Sequence, residues 1–146
     1  MSPNLERPTT SVLLIDGNDT ERRFYANGLK NCSPDNLILE AADGQSGLNL
    51  YRRSQWIDCV VLELALPDRS GFEVLADLLP IPSSPQVAVI ILTKIAHREL
   101  LELAKQNGAC ACFEKQHTSV NDLAKAILRA VALVGLMPKE ERHRAV

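Results

Sequence analysis

The chain has 146 residues, of which 46% are hydrophobic and 23% are charged. This length suits a single hydrophobic core, with room for roughly five strand–helix units. Sixteen basic and eighteen acidic residues leave a formal charge of −2, so no global basic field exists to hold nucleic acid or an anionic membrane. Three Phe, two Tyr and one Trp are too few for the stacking surfaces that bind single-stranded nucleic acid.

Residues 1–10 lack the basic and then apolar pattern of a signal peptide, and no apolar run approaches the roughly 20 residues of a membrane helix. These features predict a cytoplasmic protein. The four cysteines form no CxxC pair, and the histidines show no zinc-binding spacing. We interpret Cys110 and Cys112 as buried residues that share one face of a strand. The histidines are predicted at the surface or in loops: His97, His117 and His143.

Short apolar runs and amphipathic repeats alternate along the chain. In chain order, the predicted elements are strand 12–15, helix 19–30, strand 37–39, helix 45–53, strand 59–62, helix 72–79, strand 87–92, helix 97–106, strand 109–113 and helix 120–134. The first, third and fourth strands are unbroken apolar runs, as expected of strands buried on both faces. The second and fifth are shorter, which is typical of edge strands.

This alternation predicts an α/β fold, in which five parallel strands form an open, doubly wound sheet with helices on both faces. The domain is predicted to occupy residues 11–134 and to follow an extension at 1–10. Residues 135–146 include Pro138 and a charged run, and they are predicted to form a solvated tail. A tail of this length cannot form a second domain.

Polar residues follow four of the five predicted strands, at the point where each strand ends. They are Asp16 after the first strand, Glu63 after the third, Thr93 and Lys94 after the fourth, and Glu114 and Lys115 after the fifth. Because the carboxyl ends of parallel strands meet at one edge, where ligands bind, these groups are expected to converge. Converging carboxylates favour a cation between them, which here is either a divalent metal or a lysine ammonium.

Several catalytic motifs are absent from the sequence. The loop after the first strand, Asp16-Gly-Asn-Asp-Thr20, contains neither GxGxxG nor GxxxxGK[ST], which argues against dinucleotide and P-loop phosphate sites. No GxSxG elbow occurs, so acyl transfer is unsupported. A flavodoxin-like cofactor enzyme would need a phosphate-cradling loop and stacking aromatics that this sequence lacks. The chain is therefore predicted not to be an enzyme.

Residues 10–134 resemble the CheY-like receiver domain of bacterial two-component response regulators. One match is the stretch Val12-Leu-Leu-Ile-Asp-Gly17, where receivers have an apolar strand followed by two acidic residues. A second is Asp58-Cys-Val-Val-Leu-Glu-Leu-Ala-Leu-Pro-Asp-Arg-Ser-Gly71, where the family's third strand ends in the aspartate that accepts phosphate from a histidine kinase. The resemblance places Glu63 at the acceptor position and implies a flavodoxin-like (βα)5 fold with strand order 2-1-3-4-5.

Further matches to the family follow the fourth and fifth strands. Thr93 matches the hydroxyl residue whose movement toward the phosphoryl group triggers the switch, and Lys115 matches the lysine that pairs with phosphate. Cys112 stands in the place of the switch aromatic, and Gln116 stands where a proline follows the lysine. The stretches Ala41-Ala-Asp-Gly44 and Asn107-Gly-Ala109 are also typical of receivers.

Departures from the family bear on metal binding and phosphorylation. Gly17 lacks the carboxylate that receivers use for Mg²⁺, which leaves Asp16, Glu63 and the Ala65 carbonyl as ligands and predicts weak or absent binding. Glu63 is one methylene longer than aspartate, about 1.5 Å of extra reach, which displaces its carboxylate from the in-line position. Lys94 stands where receivers commonly carry a small residue. We hypothesise that Lys94 reaches back to Glu63 or Asp16 as the cation of the pocket.

These departures lead to two hypotheses. In the first, the domain is a pseudo-receiver: the Glu63 charge, paired with Lys115, partly mimics an aspartyl-phosphate, and the fold binds a partner without phosphorylation. In the second, the domain is a Mg²⁺-dependent phosphoacceptor that uses Glu63 or Asp68. We favour the first, which needs no cofactor. The expected partner is a histidine kinase or an effector domain, with homodimerisation through residues 97–134 as a further expectation, and neither nucleic acid nor a membrane is expected.

Overall fold

Five strands and five α-helices alternate along residues 10–54 and 56–135, which are the residues described by a computed structural model. In chain order they are β1 (Ser11–Ile15), α1 (Asp19–Cys32), β2 (Leu37–Ala41), α2 (Gly44–Arg53), β3 (Cys59–Leu62), α3 (Gly71–Leu78), β4 (Ala88–Thr93), α4 (Arg98–Gln106), β5 (Ala111–Glu114) and α5 (Val120–Gly135). A short 3-10 helix, Lys115–His117, follows β5. Every predicted element is present, with its bounds shifted by no more than a residue or two.

The strands form one parallel sheet in the order β2-β1-β3-β4-β5. On the two sides of β1, Val12 is paired with Ile38 of β2 and with Cys59 of β3. This topology confirms the predicted doubly wound, flavodoxin-like (βα)5 fold. The strand order reverses between β1 and β3, so the crevice at their carboxyl ends lies beside Asp16 and Glu63.

The sheet separates two hydrophobic layers. One layer packs α2, α3 and α4 against the sheet through residues that include Leu48, Val74 and Ala104. The other packs α1 and α5 against the opposite face through residues that include Leu29 and Ile127. The strands β1, β3 and β4 are buried along their whole length, whereas β2 and β5 are partly exposed, which confirms the predicted central and edge strands. In the described residues, no helix is long and apolar enough to cross a membrane.

Among the described residues, the first element is β1 and the last is α5. Helix α5 continues to Gly135, so the predicted boundary at residue 134 falls in its last turn. Thr10, the last residue of the predicted extension, is buried, and its carbonyl accepts a hydrogen bond from the Leu37 amide at the start of β2. The rest of the predicted extension and tail, residues 1–9 and 136–146, lies outside the described residues.

The prediction that Cys110 and Cys112 share one face of a strand is wrong. Because β5 begins after Cys110, the two residues are not alternate positions of one strand. Cys110 packs against the layer of α1 and α5, whereas Cys112 packs against the layer of α2, α3 and α4. Burial raises the pKa of both thiols, that of Cys112 to about 11. Of the histidines, His97 and His117 are exposed as predicted, and His143 lies outside the described residues.

Gly71 begins α3 at a point where the neighbouring backbone leaves no room for a side chain. A Cβ at this position would lie 2.5 Å from Leu64 Cα and 2.6 Å from the Glu63 carbonyl oxygen. Because backbone atoms cannot easily move aside, Gly71→Ala is expected to lower the free energy of unfolding by about 3 kcal/mol in urea denaturation. Gly135→Ala is the matched control, since no described atom lies within 4 Å of its added Cβ. Equal losses in the two variants would contradict this packing.

Candidate functional site

The carboxyl ends of β1, β3, β4 and β5 surround one pocket. It is lined by Asp16, Gly17, Asn18, Glu21, Glu63, Ala65, Leu66, Pro67, Lys94 and Lys115. The structure therefore brings together four of the residues that the sequence places at strand ends: Asp16, Glu63, Lys94 and Lys115. Thr93 joins them through a hydrogen bond to Glu63, whereas Glu114 does not line the pocket.

Glu63 directly follows β3, and its side chain is buried, with only 2% of the residue exposed. Its Oε2 accepts hydrogen bonds from the Thr93 hydroxyl and, at 3.0 Å, from the Ala65 amide. Its Oε1 accepts from the Lys94 amide at 3.2 Å and from the Lys115 ammonium at 2.9 Å. An ionised carboxylate offers about four acceptor sites, so these four donors use the full capacity of Glu63.

The hydrogen bonds around Glu63 decide its ionisation. Burial by itself would raise the pKa of Glu63, because a buried carboxylate loses its hydration. The hydrogen bonds from Thr93, Ala65 and Lys115 outweigh burial and lower the pKa below its ordinary value. The pocket therefore holds a fixed negative charge at neutral pH.

Lys115 supplies the cation of the pocket. Its ammonium lies 2.7 Å from an oxygen of Asp16, 2.7 Å from an oxygen of Glu21 and 2.9 Å from an oxygen of Glu63. The Lys115 side chain is only 7% exposed, and burial by itself would lower the pKa of a lysine. The hydrogen bonds with the three carboxylates outweigh burial and raise the pKa of Lys115 above its ordinary value. The ammonium is therefore charged, and all three of its donors are used.

Asp16 is held in place from two directions. Its Oδ1 accepts a hydrogen bond from the Asn18 amide at 2.9 Å, and its Oδ2 faces Lys115. The buried Arg22 of α1 donates to the Asp16 carbonyl oxygen at 2.8 Å and pairs with Glu40 of β2 at 2.9 Å. Arg22 thereby ties the ends of β1 and β2 to the first turns of α1.

The hypothesis that Lys94 is the cation of the pocket is not supported by its contacts. The residue is exposed, and among the described residues its ammonium forms no ion pair with a carboxylate. Its backbone amide, rather than its ammonium, faces Glu63. The structure gives the role of pocket cation to Lys115.

The two predicted switch residues have different surroundings. Thr93 is the last residue of β4 and is fully buried, and its hydroxyl donates to Glu63 and accepts from the Ile95 amide at 3.1 Å. Cys112 does not line the pocket, and its thiol donates to the Leu101 carbonyl oxygen of α4 at 3.4 Å. Thr93 therefore contacts the acceptor position directly, whereas Cys112 joins β5 to α4.

Asp68, the alternative acceptor, lies at the amino end of α2 and does not line the pocket. Its two carboxylate oxygens accept hydrogen bonds from the amides of Gly44 at 2.8 Å and Gln45 at 2.9 Å. Slight burial raises the pKa of Asp68, but these bonds lower it below its ordinary value. The contacts are those of a residue that caps a helix.

Three residues of α1 that the sequence analysis missed help to build the site: Glu21, Arg22 and Tyr25. The Tyr25 hydroxyl donates to the carbonyl oxygens of Thr118 at 2.9 Å and of Lys115 at 3.2 Å, so it holds the segment that carries Lys115. These positions lie on one face of the first two turns of α1. That spacing, just after the strand end at Asp16, is the signal that could have found them.

The donors of the pocket do not fit a divalent metal. Hard cations need several oxygen ligands with free lone pairs. The family resemblance implies three ligands here: Asp16, Glu63 and the Ala65 carbonyl oxygen. Glu63 has no acceptor site left, Gly17 has no carboxylate, and one oxygen of Asp16 faces Lys115. In the part of the chain that the structure describes, no group of three or more His, Cys, Asp or Glu side chains is placed to hold a metal ion. The carboxylates of Asp16, Glu21 and Glu63 instead contact the Lys115 ammonium.

Comparison with known proteins gives matches to response regulators. The family model of the response regulator receiver domain matches residues 12–128. The response regulator Rcp1 of Synechocystis sp. is 25% identical over 126 residues, which are 82% of this chain and 85% of Rcp1. The transcriptional regulatory protein PdtaR of Mycobacterium tuberculosis is 31% identical over 97 residues, which are 66% of this chain and 44% of PdtaR. The chain thus spans less than half the length of PdtaR.

Solved structures share the same fold. A response regulator receiver domain protein from Clostridium thermocellum is 27% identical, with a TM-score of 0.77 over 87% of this chain and 98% of that one. The signal receiver domain of a LuxO repressor protein from Vibrio parahaemolyticus is 25% identical, with a TM-score of 0.77 over 89% and 94%. On the match of residues 12–128, the chain belongs to the family of response regulator receiver domains.

Proposed function

We propose that this chain is a receiver domain that acts through protein–protein contacts without being phosphorylated. The observation that carries the proposal is the bonding of Glu63: its buried carboxylate binds both the Thr93 hydroxyl and the Lys115 ammonium. By the family resemblance, these are the two groups that engage the phosphoryl group of an active receiver. Here both groups already have an anionic partner.

The charge of Glu63 replaces only part of a phosphoryl group. One carboxylate carries a single negative charge, whereas a phosphoryl group carries about −1.5 to −2 and has three acceptor oxygens. Glu63 therefore biases Thr93 and Lys115 toward their engaged positions less strongly than a phosphoryl group does. The domain is expected to hold one conformation constitutively, because the bias is covalently fixed and cannot be removed by a phosphatase.

The same contacts oppose phosphorylation of Glu63. A nucleophilic carboxylate needs a free lone pair in line with the phosphodonor, and Glu63 has none because four donors surround it. Activity as a phosphoacceptor with Mg²⁺ would also need metal ligands that the pocket does not offer. We therefore propose that the domain requires no cofactor. We also propose that it is not an enzyme and that it works in the cytoplasm.

The proposed partner is a signalling protein, either a histidine kinase or an effector domain. Residues 97–134 carry apolar side chains on the outer faces of α4 and α5, of which Leu103, Leu128 and Leu133 are 43%, 61% and 62% exposed. Apolar side chains of this size favour a protein contact over solvent. Alternatively, a second copy of the chain binds the same residues and forms a homodimer. Analytical ultracentrifugation of the chain alone distinguishes a homodimer from a monomer that binds a different protein.

Treatment with acetyl phosphate and Mg²⁺ tests the proposal directly. We expect intact-mass spectrometry to show no added phosphoryl group and beryllofluoride to leave the backbone amide spectrum unchanged, because Glu63 has no free acceptor site. A receiver domain with aspartate at the acceptor position serves as the reagent control.

A stable added phosphoryl mass would contradict the proposal. Two variants then assign the acceptor: loss of the mass in Glu63→Ala identifies Glu63, and loss in Asp68→Ala identifies Asp68. Since Asp68 lies outside the pocket, phosphorylation there would also indicate an output route that does not use Thr93.

A further inference from the structure

The Lys115 ammonium has one carboxylate partner that the family pattern does not supply. Asp16 and Glu63 follow the first and third strands, where receivers carry acidic residues. Glu21 lies in the first turn of α1, and its Oε1 is 2.7 Å from the ammonium, as close as Asp16. Three anionic oxygens therefore surround one buried ammonium.

Glu21 lies one helical turn beyond the position where the family's second acid would stand. That position is Gly17, and a Cβ there would lie only 2.8 Å from Cδ of Pro67. A side chain at position 17 would therefore require the Pro67 ring to shift. The third carboxylate of the pocket comes instead from α1, whose start is fixed by the hydrogen bond from the Glu21 amide to the Asn18 side chain.

We propose that the Lys115 ammonium is a built-in cation that takes the place of a divalent metal, and that Glu21 is the positioning residue that replaces the carboxylate missing at position 17. The inference deepens the proposed function and rests on it, since a phosphorylated pocket would need Lys115 free to bind phosphate. Asp16, Glu21 and Glu63 hold the ammonium where it pairs with Glu63. The pocket is thereby set in its engaged state by its own side chains.

The carboxylate oxygens around Lys115 lie close together. Three carboxylate oxygens lie 2.7 to 2.9 Å from a single point, the Lys115 nitrogen. Calcium binds oxygen ligands at about 2.3–2.6 Å, so a small contraction would bring the same oxygens to calcium. If the ammonium stands in for a metal, removing it should expose a divalent-cation site that the wild-type chain lacks.

Lys115→Ala is expected to bind calcium, with a Kd on the order of 10⁻⁴ to 10⁻³ M by isothermal titration calorimetry. The thermal midpoint of this variant should rise by about 5 °C in 10 mM CaCl₂ relative to EDTA, because the cation binds only the folded chain. The wild-type chain should show neither binding nor a rise. If the variant folds poorly in EDTA, refolding in CaCl₂ against EDTA provides the same comparison.

The matched control is the double variant Glu21→Gln and Lys115→Ala, which lacks the third carboxylate and should bind calcium at least about tenfold more weakly. Equal binding by the single and double variants would overturn the role of Glu21. Absence of calcium binding in Lys115→Ala, or binding of similar strength in the wild-type chain, would overturn the built-in cation.

A second measurement does not depend on Lys115→Ala being folded. In the wild-type chain, the buried Lys115 ammonium should give a nitrogen-detected NMR signal with slow proton exchange. Glu21→Gln should speed that exchange about tenfold, because one of three hydrogen-bonded partners loses its charge. Asp19→Asn is the control, since Asp19 lies in the same turn but pairs with Arg22. An unchanged signal in Glu21→Gln would overturn the proposal.

The inference and the proposed function fail in different experiments. Phosphorylation of Glu63 in the wild-type chain would contradict the proposed function whatever the calcium result. If Lys115→Ala does not bind calcium and acetyl phosphate does not phosphorylate the wild-type chain, the built-in cation is contradicted and the proposed function is not.

Discussion

Replacing Glu63 with glutamine is expected to lower the free energy of unfolding by about 3–5 kcal/mol, measured by urea denaturation at pH 7. The four groups around Glu63 all donate hydrogen bonds, and only Thr93 can also accept one. The glutamine amide has one acceptor oxygen, so at least one buried donor loses its partner. The Lys115 ammonium also loses a buried counter-charge at 2.9 Å.

The pH dependence of stability gives the same variant a second readout. Since the pKa of Glu63 is lower in the folded chain, its contribution is present above the unfolded pKa, about 4.5, and is lost as the pH falls through the folded value. Glu63→Gln removes this contribution at every pH, so its stability should fall less steeply than that of the wild-type chain in acid.

Glu21→Gln is the matched control for Glu63→Gln, because Glu21 binds the same ammonium but is 42% exposed. Its loss should be no more than about 1 kcal/mol, since solvent screens an exposed ion pair. A loss below about 1 kcal/mol in Glu63→Gln itself would mean that its carboxylate is not bonded as described.

Replacing Lys115 with methionine should also cost about 3–5 kcal/mol at pH 7, and it should reverse the response of stability to acid. Methionine keeps most of the apolar stem and removes the charge. Asp16, Glu21 and Glu63 then face one another without a cation. Glu63 loses the ammonium that lowers its pKa, and burial raises that pKa in the folded chain. The measurement is urea denaturation at pH 7 and at pH 5.

Proton linkage determines whether the stability of Lys115→Met rises or falls in acid. When the folded pKa of a carboxyl is raised above its unfolded value, the folded state binds the proton more tightly, so stability increases as the pH falls through the folded pKa. Lys115→Met should therefore gain stability from pH 7 to pH 5, whereas the wild-type chain should not. A parallel response of the two chains would show that Lys115 does not control the charge of the pocket.

A double-mutant cycle isolates the contact between Glu63 and Lys115. The variant with both Glu63→Gln and Lys115→Met lacks both buried charges of the pair and should be more stable than the sum of the single losses predicts. We expect a coupling of about 1–3 kcal/mol. Strict additivity would indicate that each residue acts through other partners.

Much of the fold could be predicted because its causes are local in the sequence. In unbroken apolar runs such as Val12–Ile15, the side chains all leave water only when the strand is buried on both faces. This pattern is typical of parallel strands covered by helices. Alternate strands and helices then leave few topologies, since crossovers are right-handed. The face on which Cys110 lies could not be predicted, because it depends on the residue at which β5 begins.

Part of the candidate site could also be predicted. The carboxyl ends of parallel strands meet at one edge of the sheet, so Asp16, Glu63, Thr93 and Lys115 had to lie near one another once the strands were recognised. Their carboxylate, hydroxyl and ammonium groups predicted a polar functional site at that edge. No comparable rule connected Glu21 or Tyr25 of α1 to the pocket, because their roles depend on how the helix packs against the sheet.

The sequence by itself determined the (βα)5 fold, the family resemblance and the presence of a carboxylate and a cation at the acceptor position. The tertiary structure alone decided which cation this is. Successive residues of an extended chain point in opposite directions, so the Thr93 hydroxyl faces Glu63 while the side chain of Lys94 is exposed. Lys115, carried by the turn after β5, meets Asp16, Glu21 and Glu63, whose separate positions along the chain converge only when the sheet and α1 have packed together.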